Sequence, residues 1–282
     1  METSKLIFTV DLEDWFHILG DNYEFPISKW DSMESRIERN ANILLEMFSE
    51  YKIKATFFSL GWIAKKYPKL ISLISQNGHE IASHSYSHRL IYNMSEQEFR
   101  DDLRKSKNLI EDLVGGEVIG YRAPGFSIVE KNLWALDILL EEGFKYDSSF
   151  FPFTHSHGGI KTEFKEPGYL QTPNSNSIFE IPISKEKVFG KSIVYTGGGY
   201  LRLCPMIMLK YLLVKQSKKN DIVLFYIHPR EIDFEQPRLK LKPIKMFKFY
   251  YGLKSTETKL KYLFSNFKFS NITEILKEYS IK

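Results

Sequence analysis

Short runs of β-branched and aromatic residues recur along the chain, separated by stretches with helical spacing. Lys5–Val10, Lys54–Ser59, Glu80–Ser83, Glu117–Tyr121, Phe144–Tyr146, Phe179–Ile183 and Asp221–Ile227 read as strands. Between them, Met33–Tyr51 carries Ile37, Ala41, Leu44, Leu45 and Phe48 at the spacing of one buried helical face. Ser95 and Glu98 form a capping-box pattern that opens a helix running to about Val114, and Gly115-Gly116 stops it. Glu130–Glu142 and Pro205–Lys219 read as further helices. Strand–helix alternation over seven strands predicts an α/β fold with a parallel sheet closed into a barrel. Ser148–Ser177 is rich in Gly, Pro, Ser and aromatics and has little periodicity. A loop of that length predicts a lid or rim over a site.

The polar residues fall where the strands end. Asp11, Glu13 and Asp14 follow the first strand, and His84 and His88 follow Glu80–Ser83. Arg122, Asp147 and His228 each follow a further strand. In parallel α/β barrels the C-terminal strand ends share one face, which is where active sites are built. Two imidazoles with a carboxylate form a common ligand set for a catalytic divalent metal. The plain alternative is a histidine pair without a metal, beside a solvated acidic turn. Asp14 has a second reading as a cap for the segment after it. His228 suits a general acid, or a structural histidine bonded to a carbonyl. Arg122 suits bidentate orientation of a carboxylate, or a plain ion pair. His155 and His157 lie in the long loop without a carboxylate nearby and read as decoys or rim residues.

Composition narrows the class. The chain has 282 residues, is 43% hydrophobic and 26% charged, which disfavours disorder, and its one cysteine, Cys204, excludes an intramolecular disulfide framework. The acids at positions 11, 13 and 14 break the N-terminal apolar run, which therefore lacks the form of a secretory signal. A cytoplasmic protein is expected, peripheral at the inner membrane face if its basic end meets lipid. The net charge is only +4, yet residues 238–282 alone carry +8, which leaves a mildly acidic remainder. This divides the chain into a barrel over 1–237 and a basic, aromatic-rich extension over 238–282 packed on it. The extension reads as packing with solvated lysines, or as a surface for anionic lipid or a phosphate-linked carrier. Nucleic acid is not an expected partner.

Five motifs now stand in order: Val10-Asp-Leu-Glu-Asp14, His84-Ser-Tyr-Ser-His88, Tyr121-Arg-Ala-Pro124, Tyr146-Asp-Ser-Ser149 and Phe225-Tyr-Ile-His228. Together they resemble the polysaccharide deacetylases, the NodB-homology or carbohydrate esterase family 4 group. Gly197-Gly-Gly-Tyr-Leu-Arg-Leu203 resembles a feature of the branch linked to bacterial exopolysaccharide and surface-glycan synthesis. The resemblance implies a distorted (β/α)7 barrel and metal-dependent removal of an N- or O-acyl group from a sugar. It implies Asp11 as general base, Arg122 as the residue orienting it, and His228 as general acid supported by Asp147. The backbone N–H of Gly125 is the implied oxyanion donor. His84, His88 and either Glu13 or Asp14 are the implied ligands of one divalent metal, with Zn first and Co, Ni, Mn and Fe also suited. The implied substrate is an N-acetylated sugar or a nucleotide- or lipid-linked saccharide. Two other readings stand beside it: an amidohydrolase of the same scaffold acting on a cyclic imide, ureide or formamide, and a catalytically silent glycan-binding barrel.

Overall fold

The computed structural model describes residues 5–20, 24–161, 164, 166–188, 190–217, 222–279 and 281. The chain forms two compact units, one of residues 1–55 with 184–272 and one of 56–183 with 273–282. Elements are numbered in chain order.

The first unit is built on β1 (Lys5–Leu12) and β10 (Ile222–Ile227), which pair in parallel from Lys5↔Ile222 to Val10↔Ile227. Both are nearly continuous apolar runs, as a sheet covered on both faces requires. β11 (Phe269–Ser270) adds in parallel beside Leu6 and Ile7. Phe8 of β1 is the centre of the packing, with the rings of Phe48, Phe264 and Phe269 edge-on at 5.5, 5.0 and 5.5 Å. Phe48 comes from α2 (Ile37–Glu50), which follows the short α1 (Ile27–Trp30). Phe264 comes from α10 (Leu253–Asn266). The unit also holds the antiparallel hairpin β8–β9 (Lys185–Val188, Lys191–Val194), α7 (Gly198–Leu203), α8 (Met206–Ser217) and α9 (Pro243–Tyr250).

The second unit places β2 (Thr56–Ser59), β3 (Glu80–Ser83), β4 (Gly120–Tyr121), β5 (Tyr146–Asp147) and β7 (Ser177–Glu180) side by side in parallel. β6 (Gly168–Gln171) closes this order antiparallel to β7. The helices are α3 (Gly61–Lys66), α4 (Pro68–Gln76), α5 (Glu96–Val114), α6 (Trp134–Glu141) and α11 (Ile272–Glu278), the last belonging here from Thr273 onward. The Ser95–Glu98 capping box opens α5, and Gly115 ends it in the left-handed region at φ 67°.

Several elements depart from the sequence reading. Glu117–Tyr121 and Phe144–Tyr146 contract to two paired residues each, because Lys145 and Tyr146 both donate to the Ile119 carbonyl as the chain turns into the sheet. The Glu130–Glu142 helix starts at Trp134, after a 3-10 turn over Glu130–Asn132. The Ser148–Ser177 stretch is not all loop. Its second half is β6 and a tight turn, in which Thr172 accepts from Ser175 and donates to Asn176 while Ser175 takes φ 63°. The hairpin β8–β9, turning at Gly190 with φ 78°, had no counterpart in the periodicity. Lys219 and Asp221, at the expected ends of a helix and a strand, lie outside the described residues.

Candidate active site

In the first unit, strand register brings three expected residues together. Val10 pairs with Ile227, so the next residues, Asp11 near the end of β1 and His228 just past β10, stand level with each other. Glu13 lies two positions beyond Asp11. Asp11, Glu13 and His228 each present a ligand atom within 4.8 Å of the others. His228 Nε2 is 4.0 Å from both Asp11 Oδ2 and Glu13 Oε2. Its other nitrogen, Nδ1, donates to Glu231 Oε1 at 3.2 Å. Glu231 in turn accepts from the buried Arg202 through Oε2. Burial pulls the His228 imidazole down, but Glu13 and Glu231 outweigh it, and the net effect is a raised pKa. Burial also raises Glu231, yet Arg202 and the bond to His228 prevail and hold it far below the usual carboxylate range.

The Gly197–Leu203 motif explains how Arg202 arrives there. A Cβ on Gly197 would lie 1.8 Å from the Tyr226 ring, so only glycine lets the chain pass β10 this closely before α7 begins. One turn later α7 delivers Arg202. Its guanidinium also donates to the carbonyls of Lys248, at 2.8 Å, and Tyr251.

Asp14 is engaged differently from Glu13. Its Oδ2 accepts from Ser35 Oγ at 2.6 Å and from the N–H groups of Arg36 and Ile37 at 2.9 and 3.2 Å. Its Oδ1 accepts from the Trp15 N–H at 2.8 Å. Those donors open α2, whose own N-cap residue, Arg36, supplies no side-chain bond. Asp14 therefore caps α2 from the end of β1, satisfying donors that a helix start leaves open. Burial raises its pKa against these bonds. Of the two acids between which the motif was ambiguous, Asp14 has its carboxylate committed to the fold.

In the second unit the register Ser83↔Tyr121↔Asp147↔Glu180 lines up the ends of four strands. His84 and His88 have ring centroids 5.4 Å apart. His84 Nδ1 lies 2.7 Å from the Arg122 carbonyl. A carbonyl only accepts, so Nδ1 holds the proton and Nε2 carries the lone pair, the tautomer a metal ligand needs. The loop between the histidines is held by Asp102 of α5. Its carboxylate accepts from Ser85 Oγ, the N–H groups of Tyr86 and Ser87, and Ser87 Oγ at 2.6 to 3.2 Å. Ser85 and His88 both take left-handed backbone, φ 72° and 55°, which is costly for non-glycine residues and needs such support.

The third and fourth motifs are bonded to each other. Arg122 is fully buried and stacks its guanidinium 4.0 Å over the Phe58 ring. It donates through Nε to the Ser148 carbonyl and through Nη2 to Ser148 Oγ. Ser149 Oγ accepts from the Ala123 N–H at 2.8 Å and donates to Asp147 Oδ1 at 2.6 Å. Thus Asp147, read from the sequence as support for His228, is here bonded to Ser149 and steadies the Ala123–Gly125 turn. Gly125 sits at φ 58°, where glycine carries no penalty. Burial raises both Asp147 and its strand partner Glu180, and the Asp147 charge pushes Glu180 further. His155 accepts from the His157 N–H through Nδ1 and packs against Phe126 and Phe151; burial takes its pKa down to about 4.

Sequence reasoning passed over Glu231, Asp102 and Glu180, and met Arg202 only as part of the Gly197–Leu203 motif. Asp102 had a readable signal, since it falls in the buried stripe of α5 with Phe99, Leu103, Ser106 and Ile110. An acid in such a stripe needs partners. Glu231 sits one residue past His228-Pro-Arg, where nothing in the spacing marks it.

Residues 29–141 match the family described as polysaccharide deacetylase, and residues 148–277 match one described as "Domain of unknown function (DUF3473)". The chain is 38% identical over 106 residues to a peptidoglycan deacetylase of Helicobacter pylori, covering 38% of this chain and 35% of that protein. It spans about a third of the length of the curated relatives it matches. Among solved structures, a "putative polysaccharide deacetylase" from Mycobacterium smegmatis superposes with a TM-score of 0.65 at 18% identity, over 98% of this chain and 90% of that one. Puue allantoinase superposes with a TM-score of 0.63 at 16% identity, over 98% and 89%. These superpositions show the fold expected from the sequence, an α/β fold of the (β/α)7 deacetylase type. The ordered motifs and the matched segment agree: residues 29–141 match the polysaccharide deacetylase family, and the chain as a whole shares the fold.

Proposed function

We propose that this protein is a metal-dependent hydrolase that removes the N-acetyl group from a saccharide intermediate of surface-glycan biosynthesis. The observation that carries this reading is the arrangement around His228. One nitrogen faces Asp11 and Glu13, and the other is held by a carboxylate locked to a buried arginine. A raised imidazole pKa at such a place suits a proton donor. The Gly197–Leu203 motif supports the surface-glycan setting.

Glu13, His84 and His88 would hold one divalent metal. The donor chemistry fits, with Glu13 a buried carboxylate, Asp14 committed to α2, and His84 in the tautomer that leaves Nε2 for a ligand. When bound, the metal acidifies water and polarises the acyl carbonyl. Asp11 accepts the proton of the water that adds to the acyl carbon. The Gly125 N–H donates to the oxyanion that develops there. As the C–N bond breaks, His228 gives its proton to the departing nitrogen, so the products are acetate and a free amine. Glu231 keeps His228 protonated and oriented until that step.

The test is acetate release from N-acetylated chitooligosaccharides by the metal-loaded protein, with Asp11→Asn and His228→Ala as controls. Release that falls at least about 100-fold in both variants is expected. Release of no acyl group from any N-acetylated saccharide at full metal occupancy would overturn the reading, and hydrolysis of a ureide instead would reassign the substrate.

A further inference from the structure

Of thirteen exposed large apolar side chains among the described residues, nine fall between positions 200 and 251, all in the first unit. Six of them are carried by two helices and their ends. α8 is apolar on both sides: Leu209, Leu212 and Leu213 turn inward and are fully buried, while Ile207 (81% exposed), Tyr211 and Val214 run along its outer side at spacings of four and three. α9 buries no residue at all. Ile244 (73% exposed), Phe247 and Tyr251 follow one another at three and four, which places them on one face. That face is nonetheless fixed in place, because Arg202 of α7 holds the carbonyls of Lys248 and Tyr251. An open groove of about 580 Å³, lined by Leu203, Phe234 and Tyr251 among others, joins α7 to the end of α9.

Along the stretch that carries α9 the charges are of one sign. From Pro237 to Thr256 there is no acid, and Arg238, Lys240, Lys242, Lys245, Lys248 and Lys254 supply six cations. Lys245 and Lys248 are exposed on the same helix as the apolar face, and Lys242 is exposed at its N-terminal cap. Among the described residues no helix is long and apolar enough to cross a membrane. A short, anchored helix with an apolar face and flanking lysines suits lying in a lipid interface, with apolar side chains among the acyl chains and ammonium groups at the headgroups. A second copy of the chain is a poor occupant, since a twofold contact would set this cationic face against itself.

We infer that the outer face of α7–α9 docks on an anionic lipid surface. The inference goes beyond the deacetylase reading, and its test measures binding rather than hydrolysis, so either can fail alone.

The experiment is flotation of the full chain with vesicles of phosphatidylcholine containing phosphatidylglycerol, against vesicles of phosphatidylcholine only. Binding to the anionic vesicles alone is expected, weakening as salt rises. Ile244→Ser with Phe247→Ser should weaken it at least about tenfold, and Lys242→Glu with Lys245→Glu by roughly fivefold or more per lysine. All four positions are exposed, so acetate release from a soluble chitooligosaccharide should be unchanged in both variants. Failure of the unaltered chain to float with anionic vesicles would overturn the inference, as would equal flotation of both variants. A concentration-dependent dimer that the same substitutions abolish would also overturn it, by making a second copy the occupant.

Discussion

Glu231 holds His228 through Nδ1 at 3.2 Å while its other oxygen is bonded to Arg202, so the proposed acid stands at the end of a buried ionic chain. Replacing Glu231 with Gln keeps the shape and removes the charge. Arg202 would then be left as an uncompensated buried cation, costing about 3 kcal/mol of stability. His228 would lose part of what raises it. In the metal-loaded protein the alkaline limb of turnover should therefore move to lower pH, since the acid must be protonated to act. Urea denaturation and a pH profile of Glu231→Gln check both effects. An unchanged profile would confine Glu231 to the fold.

Glu13 and Asp14 should separate cleanly. Asp14→Ala removes the remote cap of α2 and is expected to cost about 2 kcal/mol in unfolding, with metal affinity nearly intact. Glu13→Gln should do the reverse, with stability little changed and metal affinity down more than about 100-fold. Calorimetric titration of metal into the stripped variants, beside their melting curves, decides the assignment.

The loop between the two histidines depends on Asp102. Asp102→Asn keeps one acceptor oxygen where the carboxylate serves four donors. Ser85 and His88 would lose support for their left-handed conformations, and metal affinity should fall roughly 10- to 100-fold with the overall fold retained. Unaltered affinity in the same titration would show that the loop holds its shape without the charge.

His155 supplies a pH dependence of stability. Its folded pKa of about 4 lies below its ordinary value of 6.5, so the unfolded chain binds more protons between those limits. Stability is therefore full above about pH 6.5 and is lost as the pH falls toward 4. With partial exposure taken into account, the loss is of order 1–2 kcal/mol. In His155→Leu this component disappears, so the gap between wild type and variant should shift against wild type from pH 7 to pH 5. Parallel acid losses in both proteins would exclude His155 as the source.

The strand ends were legible because a reactive residue after an apolar run is a local pattern. His84, Arg122 and His228 follow their strands in this way, and Asp11 is the next-to-last residue of β1. The partners of these residues were not legible. Ser148 and Ser149 reach back 26 positions to Arg122 and Ala123, and Arg202 reaches forward 29 to Glu231. Such bonds arise from register and helix placement, which no window of sequence contains. The Asp14 ambiguity has the same origin, since the donors it caps lie more than twenty residues on, at the start of α2. Short strands and tight hairpins were misjudged for a different reason. Two paired residues leave no periodicity to detect, as at β4 and β5.

Arg202 spends one edge of its guanidinium on Glu231 and the other on the carbonyl ends of α9. The seating of that helix and the strength of the proton donor are thus read by one side chain. If α9 were drawn outward, Arg202 would lose two acceptors, its contact with Glu231 would change, and so would the charge that faces the imidazole beyond. The imidazole of His228 is therefore a built-in reporter of events at the protein's outer surface, one whose proton resonance would register whether α9 is in place.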